Sequence, residues 1–243
     1  MSQDPAKRHV LDATKIVITI ARLQARIAER FPESGLSRVA ADLSETAQAT
    51  AAHVRALERP NHILRALAAL AVVAGIAAQI YAARLVNWSA VVTHADVVAL
   101  TQGLDAIVNL LILASGAIWF LMTLDRRLKR RAALHSLFAL RSFAHVVDMH
   151  QLTKDPTVIL GPPTPSSPQR RMSEFELSRY LDYCAEMLAL IAKLAALYAG
   201  QVQDEAVIGA VNEIEELTSD LGRKIWQKIM IISRLDERAA PAR

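Results

Sequence analysis

The run AIVNLLILASGAIWFLMTLDRRLKRR, residues 106–131, decides how this chain is read. Its first nineteen residues carry no charge, and eleven of them are large aliphatic, Met or Phe side chains. At a helical rise of about 1.5 Å per residue they cover roughly the 30 Å of a bilayer's hydrocarbon core. The run ends at Asp125, and five cations follow before position 132. Uncharged runs of this length are uncommon in soluble helices, and a basic collar at one end is ordinary at a membrane edge. The competing reading is a buried helix of a soluble bundle.

A second uncharged run lies upstream. Residues 66–83, ALAALAVVAGIAAQIYAA, sit between Arg65 and Arg84. Nine of these eighteen residues are alanine and one is Gln79, so the run is marginal as an isolated span and is expected to insert as a hairpin with the second. Arg55, Arg59 and Arg65 precede it, whereas residues 86–105 contain no Lys or Arg. The positive-inside rule then puts both termini in the cytoplasm and the loop outside, in the cell (inner) membrane. Tyr81, Trp88 and Trp119 suit the interfaces. Thr93 followed by Asp96 has the spacing of a helix N-cap, so the second membrane helix is expected to begin near Thr93. His94 and Asp96 at the loop tip offer proton or metal chemistry, but a solvated helix cap is the simpler reading.

Small residues recur at four-residue spacing in the first run, as Ala71 with Gly75 and Ala74 with Ala78 and Ala82, and Gly116 lies between Ser115 and Ala117 in the second. Such stripes let helices approach closely in lipid, within the hairpin or between copies. Gln79 and Asn109 lie inside the runs, where an amide needs a partner. They pair across helices or line a pore built from several copies, since two spans cannot enclose one.

The remaining sequence also reads as helix. Apolar residues make up 53% of the 243, aromatics only 5%, and alanine supplies much of the apolar share. Few glycines and many alanines point to an all-α chain. Residues 36–57 carry Leu36, Val39, Leu43, Ala47, Thr50, Val54 and Leu57 at three- and four-residue spacing, one apolar helical stripe that pairs with residues 12–30 as an antiparallel hairpin. The β-branched KIVITI at 15–20 has no partner strand and stays in the helix. Residues 125–151 contain no Pro or Gly and extend the second membrane helix into the cytoplasm, with Leu134, Leu137, Phe138, Phe143, Val146, Val147 and Met149 expected on a wide buried face. Five of nine prolines fall in 153–171, a linker. Ser173 and Glu176 form a capping-box pattern. Two apolar seams follow side by side up to Tyr198, which places that helix at the centre of a bundle or at an oligomer interface, with Cys184 as an inert core thiol. Residues 204–236 hold a coiled-coil-like seam from Val207 to Leu235 and close a second hairpin. The expected organisation is a cytoplasmic hairpin (1–62), a membrane hairpin (63–124, outer loop 86–105), an extension (125–152), a Pro-rich linker (153–172) and a C-terminal hairpin (173–243).

Chemistry is sparse. No Gly-rich phosphate loop, HExxH, CxxC or GxSxG motif is present, so the expectation is a non-enzymatic protein without a cofactor. A single cysteine excludes an intrachain disulfide and fits a reducing compartment. The N-terminus lacks the apolar core of a secretory signal, so the chain is expected to begin in the cytoplasm. The formal charge of +4 and the basic run are compatible with nucleic acid, but no aromatic residues are interleaved for base stacking, and nucleic-acid binding is not expected. The one dense polar stretch is RSFAHVVDMHQLTKDP, residues 141–156. Arg141, His145 and Asp148 fall on one helical face, either as a network tying this helix to its neighbours or as part of a ligand or metal site. His150 lies on the other side, so the two histidines do not share a site, and two ligands do not make a zinc site. The function expected is a self-associating membrane protein whose cytoplasmic helices mediate assembly, partner binding or gating, with an oligomeric pore left open. The alternatives are a membrane-anchored adaptor or sensor without a pore, and a metal or proton handling protein. The partners implied are the lipid bilayer, further copies of the chain and a cytoplasmic protein.

Overall fold

The computed structural model describes residues 11–58, 62–85, 97–154, 156 and 172–239. Among them are six helices: α1 (Ala13–Arg30), α2 (Gly35–Glu58), α3 (His62–Leu85), α4 (Val97–Leu152), α5 (Glu174–Gln201) and α6 (Glu205–Ala239). No strand occurs among the described residues, so the all-α expectation holds. Trp88, Thr93, His94, Asp96 and most of the Pro-rich segment lie outside the described residues. The chain divides into two compact units, Met1–Glu58 with Ala132–Arg243, and Arg59–Arg131. The division falls inside α4, a single helix of 56 residues.

The first unit is a helical bundle with α5 at its centre, packed against α1, α2 and α6. Both seams of α5 are buried, from Leu177 to Tyr198 and from Tyr180 to Leu197. A helix apolar over so much of its circumference has to be surrounded, and it is. The expected stripe of α2 is buried at every position, from Leu36 to Leu57. On α6, Val207, Val211, Ile214, Thr218, Leu221, Ile225 and Ile232 are buried, so the coiled-coil-like seam is covered inside the chain. Thr218 sits in that seam because its hydroxyl donates back to the Ile214 carbonyl at 2.8 Å.

Caps fix the ends of these helices. Asp12 accepts from the Thr14 and Lys15 amides at the start of α1. Ser34 accepts from the Ser37 amide at 3.1 Å and turns the chain into α2. Ser173 and Glu176 form the expected capping box at the start of α5, and the two Ser173 hydrogen bonds hold the Glu176 carboxyl below its usual range. Phe31 closes the α1–α2 turn by inserting edge-on against Tyr180 and Tyr183, at 5.5 and 6.3 Å between ring centres.

α4 corrects one expectation. Its buried stripe in the bundle is Ala133, Leu137, Leu140, Ala144, Val147 and Gln151. Phe138 and Met149, expected inside, are each 66% exposed, Val146 is also exposed, and Leu134 and Phe143 are only partly buried. The face is narrower than the apolar residues imply. The large residues Phe138, Val146 and Met149 lie one or two positions round the helix from this stripe and face outward.

The second unit has the opposite surface. Large apolar side chains from Leu67 to Ile80 on α3, and from Leu104 to Phe120 on α4, stand exposed. Among the described residues, two helical stretches are long and apolar enough to cross a membrane, Ile107–Leu152 and Glu174–Gln201. Burial separates them. The most apolar window is 56% buried in the second and 0% buried in the first. The second is the core helix of the bundle. α3 has 24 residues and contains the uncharged run 66–83, half of it alanine.

Candidate functional site

Arg141, His145 and Asp148 share a face of α4 but do not form one site. Arg141 is exposed and donates to Glu213 on α6 at 2.9 Å. His145 is exposed. Asp148 accepts from the Gln151 amide at 2.5 Å. The face is therefore not one site: Asp148 bonds within its own helix, and Arg141 ties α4 to α6. A solvent-exposed pair of this type contributes about 0.2–1 kcal/mol. No group of three His, Cys, Asp or Glu side chains among the described residues is arranged to hold a metal ion.

His150 turns the other way, as its position on the helix requires. Its imidazole lies against Gly35 in the first turn of α2, with the ring carbon Cε1 where a Cβ on that residue would stand. Burial holds the His150 pKa below the ordinary imidazole value, and Lys154 and Arg38 add to the effect. Two outcomes follow. Gly35→Ala forces the ring aside and is expected to cost about 1–2 kcal/mol. The loss should shrink when His150→Ala is added, and the non-additivity in a double-mutant unfolding cycle measures the contact. Because the folded-state pKa is depressed, the neutral ring's contribution is complete above the unfolded value of about 6.5 and is lost as pH falls through the folded value. Denaturation midpoints at about pH 8 and about pH 5 should therefore differ more for the wild type than for His150→Gln.

Two polar clusters join helices of the bundle. At the end of α4, Lys228 of α6 donates to the Gln151 backbone carbonyl at 2.9 Å and to its side-chain oxygen at 2.7 Å. Gln151 is 1% exposed and passes its own amide to Asp148. The ammonium thus satisfies a carbonyl in the last turn of α4, where a cation is favoured. At the other side of the bundle, His53 Nδ1 lies 3.1 Å from Ser136 Oγ and 3.4 Å from the Tyr198 hydroxyl. Tyr198 is wholly buried, and its pKa is raised by burial, partly offset by hydrogen bonds with Ser136 and Thr50. The cluster links α2, α4 and α5 through a Ser, a His and a Tyr. These hydrogen bonds tie the three helices together. Polar residues on apolar stripes, Thr50 and Tyr198, were the available signal; Lys228 gave none.

Cys184 is fully buried, and its thiol is pushed up to about 12 by that burial. A protonated, covered thiol is neither a nucleophile nor a metal ligand.

Three surface features remain. A shallow apolar groove runs between α4 and α6, lined by Leu134, Phe138, Arg141, Gly209, Ala210 and Glu213 among others. On α6, Trp226 and Met230 stand exposed between Arg223 and Arg234. On α1 and α5, Arg26, Arg30 and Arg179 gather around Tyr183 and Phe175, with Arg26 forked on Glu186. In the other unit, no atom among the described residues lies within 4 Å of the place a Cβ would take on Gly75 or Gly116. Ala71, Ala78 and Gly116 are exposed, and Gly75 is half-buried. Asn109 is exposed on α4 amid apolar neighbours; the Gln79 side chain lies outside the described residues.

No family model, curated protein or solved structure matches this chain.

Proposed function

We propose that the chain is an integral membrane protein that self-associates through its apolar unit, with the helical bundle serving assembly, partner binding or gating. The observation that carries this reading is the inversion of surface between the two units. The bundle covers its apolar seams, whereas α3 and the 107–124 stretch of α4 present theirs outward. Apolar patches of more than a few hundred Å² on a protein mark a membrane or an interface. Charge placement agrees, because the apolar stretch of α4 is closed by Asp125 and the cations after it.

Self-association rests on narrower observations. The half-buried Gly75 and the exposed Gly116 suit close approach by a second copy, since lipid offers no hydrophobic drive and small residues let backbones pack. Asn109 calls for a hydrogen-bond partner in hydrocarbon, and another copy supplies one. A pore follows only if several copies close around such amides. The adaptor reading without a pore is favoured by the exposed Trp226–Met230 face, which has the aromatic and Arg character of protein contact surfaces.

Vesicle flotation with carbonate washing tests the membrane part: the protein should rise with the vesicles and resist extraction. Mass measurement in detergent tests assembly, and a strict monomer removes the pore. Ion flux in proteoliposomes, compared with Asn109→Ala and Gln79→Ala, separates pore from adaptor.

A further inference from the structure

α6 is divided by charge. Residues 204–220 hold six acids and no Lys or Arg, whereas residues 221–234 hold four cations and no acid. The helix dipole favours acids at the start of a helix and cations at its end, but its effect fades beyond the first and last turns. Glu213, Glu215, Glu216 and Asp220 lie on one side of the change and Arg223 and Lys224 on the other, all well inside the helix. The dipole therefore does not account for them.

The outer face of α6 is divided in shape as well. Gly209, Glu216, Arg223 and Met230 recur at seven-residue spacing, so they share one face, and all four are exposed. The acidic end of that face is open. Among the described residues, no atom beyond its own turn of helix lies within 4 Å of the place a Cβ would take on Gly209. Gly209 also lines the apolar groove between α4 and α6, with Leu134 and Phe138. At the basic end large side chains stand out instead, Trp226 being 60% and Met230 49% exposed. Arg223 pairs with Asp220 of its own helix, but both are exposed, and a surface pair of this kind is weak enough for the guanidinium to be shared.

A two-fold axis crossing α6 midway between Glu216 and Arg223 lays a second copy's α6 antiparallel on the first. Positions equally far on either side of the axis then face one another. Arg223 meets the second copy's Glu216, Lys224 its Glu215, Arg234 its Glu205 and Met230 its Gly209. Each of these cations meets a carboxylate and a large side chain meets a gap, and the symmetry makes every such contact twice. A parallel arrangement would set Arg223 against Arg223 and Met230 against Met230, which like charges and bulk oppose.

We propose that the bundle forms an antiparallel two-fold dimer through the outer face of α6, with the Met230 end of one copy seated on the Gly209 end of the other. This names the surface by which the bundle serves assembly; it rests on the assembly part of the proposed function and not on the membrane part.

The test uses the full chain in detergent and reads disulfide cross-links between copies, the native Cys184 being buried. Ser219→Cys, beside the axis, should cross-link to itself. Met230→Cys mixed with Gly209→Cys should cross-link, whereas Met230→Cys alone should not, because its two copies stand roughly 30 Å apart along the helix. Added to Ser219→Cys, Glu216→Arg should weaken dimerisation by about tenfold, since two attractive pairs become repulsive. Adding Arg223→Glu as well re-forms the pairs with reversed sign and should restore the cross-link, which a folding defect would not allow. Gln48→Cys, exposed on α2, should stay uncross-linked. Self cross-linking of Met230→Cys means a parallel contact and overturns the proposal. So does a Ser219→Cys yield no higher than that of Gln48→Cys, or one unmoved by Glu216→Arg; the face then belongs to lipid or to a different protein. Mass in detergent separates the two levels. An oligomer without the Ser219→Cys cross-link leaves the assembly reading standing and sinks this proposal alone, whereas a strict monomer sinks both.

Discussion

Ile112→Arg should remove the protein from membranes. Ile112 is 63% exposed and lies within the uncharged stretch of α4. An arginine near the centre of a membrane helix costs about 2.5–3.5 kcal/mol on insertion, and the isoleucine's favourable contribution is lost as well. A cost of about 3 kcal/mol corresponds to more than a hundredfold change in partition between bilayer and water. α3 offers little compensation, since nine of the eighteen residues in its uncharged run are alanine. The variant is expected in the supernatant after flotation and carbonate washing. Ile208→Arg is the control. That residue is 41% exposed on α6, in the other unit, and the same chemical change there should leave flotation intact. If Ile112→Arg floats as well as the wild type, the exposed apolar surface of the second unit has another explanation, such as contact with a protein partner.

Tyr198→Ala should cause the largest loss of stability in the bundle. The ring is wholly buried on the central helix, and truncating a buried aromatic typically costs about 3–5 kcal/mol through lost transfer energy and the cavity left behind. The change also leaves His53, Ser136 and Thr50 without the hydroxyl they share. Tyr198→Phe divides the effect: it keeps the packing and removes the hydroxyl, for an expected loss of about 1 kcal/mol. Denaturant unfolding followed by a signal from the bundle distinguishes the two. A small loss for the alanine variant would mean that the core around α5 can collapse onto the gap. A large loss for the phenylalanine variant would mean that the polar cluster holds α2, α4 and α5 together more strongly than a single neutral hydrogen bond does.

Helix positions were legible because apolar periodicity is a local property. The stripes of α2 and α5, the seam of α6 up to Ile232, the capping box at Ser173 and the passage of α4 through the basic run without a break all follow from spacing within a few turns. Cys184 could be assigned to the core because its sequence neighbours at helical spacing are apolar. The candidate site was harder. Arg141, His145 and Asp148 share a face, as their spacing requires, but spacing cannot tell which partner each finds. Arg141 turns to Glu213, 72 residues away, and Asp148 to Gln151, three residues away. His53, Ser136 and Tyr198 come from three separate helices, so no local pattern joins them.

By itself the sequence determined the all-α class, the segments that become helices, and the contrast between an uncharged stretch and the basic run that follows it. These depend on backbone propensity, on the period of 3.6 and on side-chain charge, which a residue carries wherever it is placed. Only the tertiary structure decided which apolar surface is covered. Ile107–Leu152 and Glu174–Gln201 pass the same test of length and hydropathy, yet one has its most apolar window exposed and the other is the centre of the bundle. The physical reason is that burial depends on neighbours. α5 is enclosed because α1, α2 and α6 each bring a complementary stripe, whereas the exposed window of α4 meets no such stripe among the described residues.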